Sequence, residues 1–271
     1  MISAADINEI AIIDITALWN TDSKARLQLA AQVREACTKV VFFYIKNHRI
    51  PDSLIASLDA AAHSFFALPE EREADATSKY KKFRGFITLY AEKATGSDLS
   101  PSTGCFSEAF ENGYQITGDP ERSWPGVDLL GFREVYLKYF AEALSLSWRL
   151  MRVFCFGAGF GRELFDEKKV YPGATSRMLH FPPSLRLMAH VKDNDYFAIL
   201  SQGHVPALQV RNVHEGRYSI SFFFWTDYDT TVEALPSWVK DNRPACSASF
   251  KADDWTRAKF EKAYVAYNGE E

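Results

Sequence analysis

The chain has 271 residues, 47% of them apolar and 14% aromatic, enough to bury a core in one large domain or two small ones. Charged residues make up 24% and the net charge is −4. No polybasic footprint is present, which argues against nucleic acid as a partner and leaves small molecules as the expected ligand class. Cys37, Cys105, Cys155 and Cys246 are scattered without a CxxC pair and read as free thiols of a reducing compartment. The opening residues carry acids and no basic stretch, so no secretory signal is visible. Apolar runs such as Val40 to Ile45 are far shorter than a membrane span, so the expectation is a cytoplasmic protein with no membrane partner.

In chain order, Ile10 to Ile15 predicts a short buried strand. Residues 22 to 39 repeat apolar side chains at Leu27, Ala30, Val33 and Cys37, a helical spacing, with Asp22 or Ser23 as its cap. Val40 to Ile45 reads as a buried strand. Pro51 opens a second helix with Leu54, Leu58, Ala61, Phe65 and Phe66 on one face. Residues 70 to 105 are polar, Lys-rich and Gly-containing, and read as a long irregular lid-like excursion. A strong helical pattern runs from Leu129 to Phe156, ended by Gly157 and Gly159. After Pro172 come short strands near 176–182, 185–191, 195–200, 206–211 and 217–225. The order is helices first, then an all-β region, an α+β pattern with no internal repeat.

Several motifs recur in a fixed order: Ile13-Asp14-Ile15, Val41-Phe42-Phe43-Tyr44, Asn47-His48, Phe65-Phe66-x-Leu68-Pro69, Arg84-Gly85-Phe86 and Glu108-x-Phe110. They continue with Trp124-Pro125, Phe132-Arg133, Arg177-Met178-Leu179-His180-Phe181-Pro182, Phe197-Ala198-Ile199-Leu200, Ala207-Leu208-Gln209-Val210 and Arg217-Tyr218-Ser219-Ile220. In order and spacing over nearly the whole chain, they resemble the isopenicillin N synthase-like branch of the non-haem Fe(II)/2-oxoglutarate dioxygenases. The resemblance implies a jelly-roll (double-stranded β-helix) barrel with the N-terminal and central helices packed outside. It divides the chain into an N-terminal region, 1–110, and a helix-plus-barrel region, 111–271, as one integrated domain. It implies iron held by two His and one carboxylate, 2-oxoglutarate as co-substrate, O2, and a small organic substrate of specialised metabolism. An Arg-x-Ser pair meets the far carboxylate of 2-oxoglutarate, since a guanidinium fork matches a carboxylate.

Two departures qualify that picture. The family's first two ligands are His-x-Asp, which share a face because an extended chain has period two. Here His190 sits one residue early relative to Asp193, on the face of Lys192 in a regular strand; a one-residue bulge would restore convergence. His190 and Asp193 are the candidate metal ligands, with Asp195 and His214 as alternates. Second, only six residues separate Val210 from Arg217, where the family carries a longer stretch holding the second His ligand. The fold is therefore expected as an incomplete barrel. Its open sheet edge would leave Phe222 to Trp225 short of packing partners, lower stability and invite self-association.

On the co-substrate side Arg217 and Ser219 remain as the candidate 2-oxoglutarate pair. Leu179 and Phe181 replace the Asn and Tyr that the family places before the Pro, and Arg177 and Phe181 are candidates facing the substrate. His180 reads as a packed or hydrogen-bonded histidine, His204 as a turn residue, His48 as structural and His63 as surface or packing. Three readings stand at this point: an oxygenase, a non-catalytic binding protein on the same fold, and the product of a misassembled gene.

Overall fold

The computed structural model describes residues 10–39, 42–69, 85–89, 91, 107–113, 129–160, 173–183, 197–200, 208–211, 216–234, 239–242, 244–245 and 247–263, with the backbone alone at 197–200, 208–211 and 259–263. The chain clusters into two compact units, Met1–Ala56 with Tyr136–Val170, and Ser57–Val135 with Tyr171–Glu271. Among the described residues no helix is long and apolar enough to cross a membrane.

In the first unit, β1 (Ile12–Asp14) pairs in parallel with β2 (Tyr44–Lys46), and α1 (Ser23–Lys39) lies between them in sequence. Asp22 is the cap of α1: its carboxylate accepts the Lys24 amide at 2.8 Å, satisfying a donor that has no partner within the helix. Leu29, Ala30, Val33 and Ala36 form the buried face of α1, together with Ile13, Ile15, Leu18 and Ile50. Leu146 and Val153 of α3 (Phe132–Gly157) complete that cluster. A Cβ at Gly157 would lie 2.8 Å from the Ala30 carbonyl, so glycine permits a close approach there, and Arg34 donates to the Gly157 carbonyl at 2.9 Å. Gly159, at φ +86°, ends α3 as anticipated. The Phe160 amide reaches the Cys155 carbonyl and the Gly159 amide reaches that of Phe156, a paired closure that spares the last carbonyls.

Val40 and Val41 of the anticipated strand Val40 to Ile45 lie outside the described residues. The strand is Tyr44–Lys46, and Tyr44 is 61% exposed. Among the described residues it pairs with three-residue β1 and directs one side chain in two at the core; Phe43 and Ile45 pack there and Tyr44 does not.

The Asp14 carboxylate closes the β1 end. It accepts the Thr16 amide (2.9 Å), the Thr16 hydroxyl (2.6 Å) and the Asn47 side-chain amide (2.8 Å). Those hydrogen bonds, Thr16 first, lower its pKa from 3.8 to about 2. A carboxylate lowered in the folded state stabilises fully above its unfolded value and stops doing so as pH falls through the folded one. Between pH 4 and pH 2 the melting temperature should therefore fall more steeply for the native chain than for Asp14→Asn. Parallel melting curves over that window would contradict the assignment. The effect is small, because this carboxylate lies at the exposed surface, where water screens it.

In the second unit, β3 (Gly85–Ile87), β4 (Glu108–Gly113), β5 (Ala174–Phe181) and β8 (Arg217–Phe224) form one antiparallel sheet in the order β3-β4-β5-β8. β3 corrects the reading of 70–105 as wholly irregular: a three-residue strand inside a polar stretch leaves little periodicity, and its pairing to β4 is what makes it one. β6 (Phe197–Leu200) pairs antiparallel with β7 (Leu208–Arg211), and β9 (Thr231–Val232) with β10 (Phe250–Lys251), followed by α4 (Ala252–Ala263). The anticipated strand at 185–191 lies outside the described residues, as do Cys105 and Cys246; Cys37 and Cys155 are free thiols.

The sheet has two unlike faces. On one lie Phe86, Phe110 and Met178; the Phe65 ring packs there, its centroid 5.8 Å from Phe86, 5.1 Å from Phe110 and 5.5 Å from Phe132. Phe65, Phe110 and Met178 are completely buried. Phe65 ends α2 (Asp52–Phe65) and Phe132 starts α3, so helix ends cover this face. Every residue of β8 is only half-buried, Phe222 to Phe224 included, and β8 is the outermost strand of the sheet among the described residues.

Candidate functional site

The pairing of β5 with β8 decides what lies on the second face. Phe181 opposes Arg217, Leu179 opposes Ser219 and Arg177 opposes Ser221. Because side chains alternate along a strand, Arg217, Ser219 and Ser221 share a face with Arg177, Leu179 and Phe181, opposite the face covered by Phe65. The ladder to β4 adds Ala109 and Glu111 to it. Phe181, Leu179 and Ala109 form a buried apolar patch with Ile87 against it. The Arg217 guanidinium stands over the Phe181 ring, 4.6 Å from its centroid. The result is a cationic fork and a hydroxyl on the rim of an apolar floor. A carboxylate with a short carbon chain fits that arrangement.

Arg177 lies farther along the same face. Its guanidinium is 3.5 Å from the Glu111 carboxylate, both side chains being nearly buried. Thr175 donates its hydroxyl to the Asn112 carbonyl at 3.0 Å and to Glu111 at 3.4 Å. The charge of Arg177 is thus matched within the protein, and the substrate-facing role expected for it would have to compete with Glu111. Neither Glu111 nor Thr175 was singled out from sequence; their signal is the period-two alternation of β4 and β5, legible only once the register is known.

The other side of the same strands holds a compact polar–aromatic cluster. His180 Nδ1 is 2.6 Å from the Glu108 carboxylate. Its ring stacks on Tyr218 at 4.5 Å and 14°, and His63 lies against Tyr218 at 3.7 Å. His63 Nε2 is 3.8 Å from Asp59. Burial first, then the Glu108 and Asp59 carboxylates, push the Tyr218 hydroxyl above the usual tyrosine range. His180 is thus the packed, hydrogen-bonded histidine the sequence suggests, and the cluster lies on the face away from Arg217 and Ser219, sharing the strand that carries them.

Of the metal candidates, His190, Asp193, Asp195 and His214 lie outside the described residues, as does His204. Among the described residues no group of three His, Cys, Asp or Glu is arranged to hold a metal ion. His48 accepts the Ile50 amide at 3.1 Å, a structural role.

Residues 10–127 match the family described as non-haem dioxygenase in morphine synthesis, N-terminal. The chain is 26% identical to the 2-oxoglutarate-Fe(II) type oxidoreductase hxnY of Emericella nidulans, over 93% of this chain and 90% of the relative. That alignment runs over 314 positions, more than the 271 residues of this chain, so the relative carries segments that this chain lacks. A 2-oxoglutarate-dependent dioxygenase of Didymella fabae is 30% identical over 62% of this chain, which spans 54% of that relative's length. A full-length Neurospora crassa protein crystallised in complex with alpha-KG shares the fold, with a TM-score of 0.77 at 17% identity, over 93% of this chain and 95% of that one. Family match, relatives and fold agree with the motif order: residues 10–127 match the N-terminal region of non-haem dioxygenases, and the chain is similar over most of its length to a 2-oxoglutarate-Fe(II) type oxidoreductase and shares the fold of a protein crystallised with alpha-KG.

Proposed function

We propose that this chain binds 2-oxoglutarate through Arg217 and Ser219 and acts, with Fe(II) and O2, as an oxygenase on a small organic molecule of specialised metabolism. The observation that carries the reading is the co-facial placement of Arg217 and Ser219 beside the Phe181–Leu179 floor. Family members matched in fungi bear 2-oxoglutarate-Fe(II) oxidoreductase names, which supports the reaction class.

The described residues fit the co-substrate end of such a site. Arg217 offers paired N–H donors to the far carboxylate, and Ser219 a hydroxyl two positions on along the same face. Phe181 and Leu179 keep water from the carbon chain between the carboxylates, where the family's Asn and Tyr would offer hydrogen bonds instead. The metal would fall to His190 with Asp193, or to Asp195 and His214. When bound, Fe(II) supplies the oxidising chemistry toward a C–H bond, while the protein orients the co-substrate and shields it.

A second reading is favoured by one observation, the six-residue link from Val210 to Arg217. In it the fold binds 2-oxoglutarate or a similar diacid without turnover. Anaerobic Fe(II) titration in the presence of 2-oxoglutarate separates the two. The oxygenase reading expects a visible charge-transfer band that saturates with 2-oxoglutarate. Calorimetric binding of 2-oxoglutarate with no band would favour the second reading, and absence of both would end each.

A further inference from the structure

Within the first unit lies a cavity of about 100 Å³ that the co-substrate site does not use. Its apolar floor is Leu18, Val153 and Phe156, and its other lining residues are Arg26, Arg149 and Arg152. We propose that this cavity is a binding site for a small apolar molecule bearing a carboxylate, with its body against Leu18, Val153 and Phe156 and its carboxylate between Arg26 and Arg149.

Three features argue for it. Among the described residues no acidic side chain lines the cavity, and neither Arg26 nor Arg149 forms an ion pair. Within the two helices, α1 carries no acid from Ser23 to Arg34 and α3 none from Ala143 to Gly157; the acids that flank these stretches are Asp22, whose carboxylate caps α1, Glu35 and Glu142. On a chain of net charge −4 this concentrates positive potential at one small cleft.

The third feature is that one guanidinium is already held in place. Arg149 stands over the Trp19 ring at 4.5 Å, and Arg49 over the same ring at 4.9 Å. The Trp19 indole in turn donates to the Asn47 carbonyl at 3.3 Å. A guanidinium fixed on an aromatic face loses less freedom on gripping a carboxylate than a solvated one. The ordinary account of exposed arginines is that their stems cover apolar surface while their heads stay in water. That account explains one such residue on Trp19, but not Arg26 and Arg149 together at an apolar cleft that no acidic side chain lines among the described residues.

The apolar floor selects the ligand. Inorganic phosphate would satisfy the arginines and leave the floor wet; a neutral aromatic would cover the floor and leave the arginines unmatched. An enclosed engineered apolar cavity of about 150 Å³ accepts benzene; this cleft, at about 100 Å³, is smaller but open to solvent, so a single ring or a short aliphatic chain would seat in it with its charged end outside. Benzoate is therefore a suitable probe.

The experiment is calorimetric titration of the full chain with benzoate, benzyl alcohol and inorganic phosphate. Benzoate should bind saturably, with both others at least about tenfold weaker, since each lacks one of the two contacts. Arg26→Gln and Arg149→Gln should each weaken benzoate by about tenfold or more. Arg217→Gln should leave it unchanged, which makes the result independent of the co-substrate assignment. Trp19→Phe should abolish the benzoate-induced change in tryptophan fluorescence. Absence of benzoate binding, equal binding of benzyl alcohol, native affinity in both Arg26→Gln and Arg149→Gln, or loss of binding in Arg217→Gln alone would each overturn the proposal.

Discussion

Arg217→Gln is expected to weaken 2-oxoglutarate binding about thirtyfold, the consequence of losing roughly 2 kcal/mol of charge-assisted contact. The estimate sits at the low end for such a contact because Arg217 is half-buried and water screens part of its charge. Glutamine keeps the strand and its ladder to β5, so the melting temperature should change little: what is lost in the apo chain is a cation over the Phe181 ring, a contact of modest strength at an exposed site. Arg217→Lys distinguishes charge from shape. Lysine retains the charge but presents a single point donor in place of the planar fork, so it should recover only part of the affinity. Ser219→Ala should cost less than either, since it removes one neutral hydrogen bond. The measurement is calorimetric titration of 2-oxoglutarate against each variant. Native affinity in Arg217→Gln would remove the co-substrate role from this face and leave Arg217 as an ordinary strand residue packed on Phe181.

Why the sequence discloses this pair but not its surroundings follows from the range of the interactions. The co-facial relation of Arg217 and Ser219 needs only the two-residue period of one strand. The cap of α1 at Asp22 and the closure of α3 at Gly159 are equally local, each set by a few consecutive residues. The partners of that pair are not local. Glu108 meets His180 across 72 positions of sequence, and Glu111 meets Arg177 only because β4 and β5 pair in one particular register. A shift of one residue would exchange the two faces of the sheet and put His180, not Arg177, beside the co-substrate pair. Composition misjudged Tyr44 for a related reason: burial depends on what a strand is paired with, and among the described residues β2 pairs with β1 alone. The candidate iron ligands His190, Asp193, Asp195 and His214 rest on the family resemblance and lie outside the described residues.

Phe65→Ala should be the most damaging single substitution in the second unit, costing about 3–5 kcal/mol of stability. Phe65 is fully buried and its ring meets Phe66, Phe86, Phe110 and Phe132 at centroid distances from 5.0 to 5.8 Å. Edge-on contacts to Phe66, Phe86 and Phe110 add to the burial term, since aromatic rings in that geometry attract beyond their area. Truncation would leave a cavity that three strongly held neighbours cannot easily fill: Phe86 and Phe110 are fixed by the β3–β4 ladder, and Phe132 begins a 26-residue helix. Native single-domain proteins carry only about 5–15 kcal/mol in total, so such a loss approaches the whole margin. It should appear as a large fall in the urea midpoint, and the variant should populate aggregates at temperatures where the native chain is folded. Phe65→Leu refills most of the volume and should recover more than half of the loss. His63→Ala, on the same helix but 53% exposed, removes a ring lying against Tyr218 and an exposed contact to Asp59, and should stay within about 1 kcal/mol of the native chain. A Phe65→Ala chain melting within a few degrees of the native one would mean that β3, β4 and the helix ends are held together by something other than this aromatic cluster, and the packing account of the sheet's covered face would fail with it.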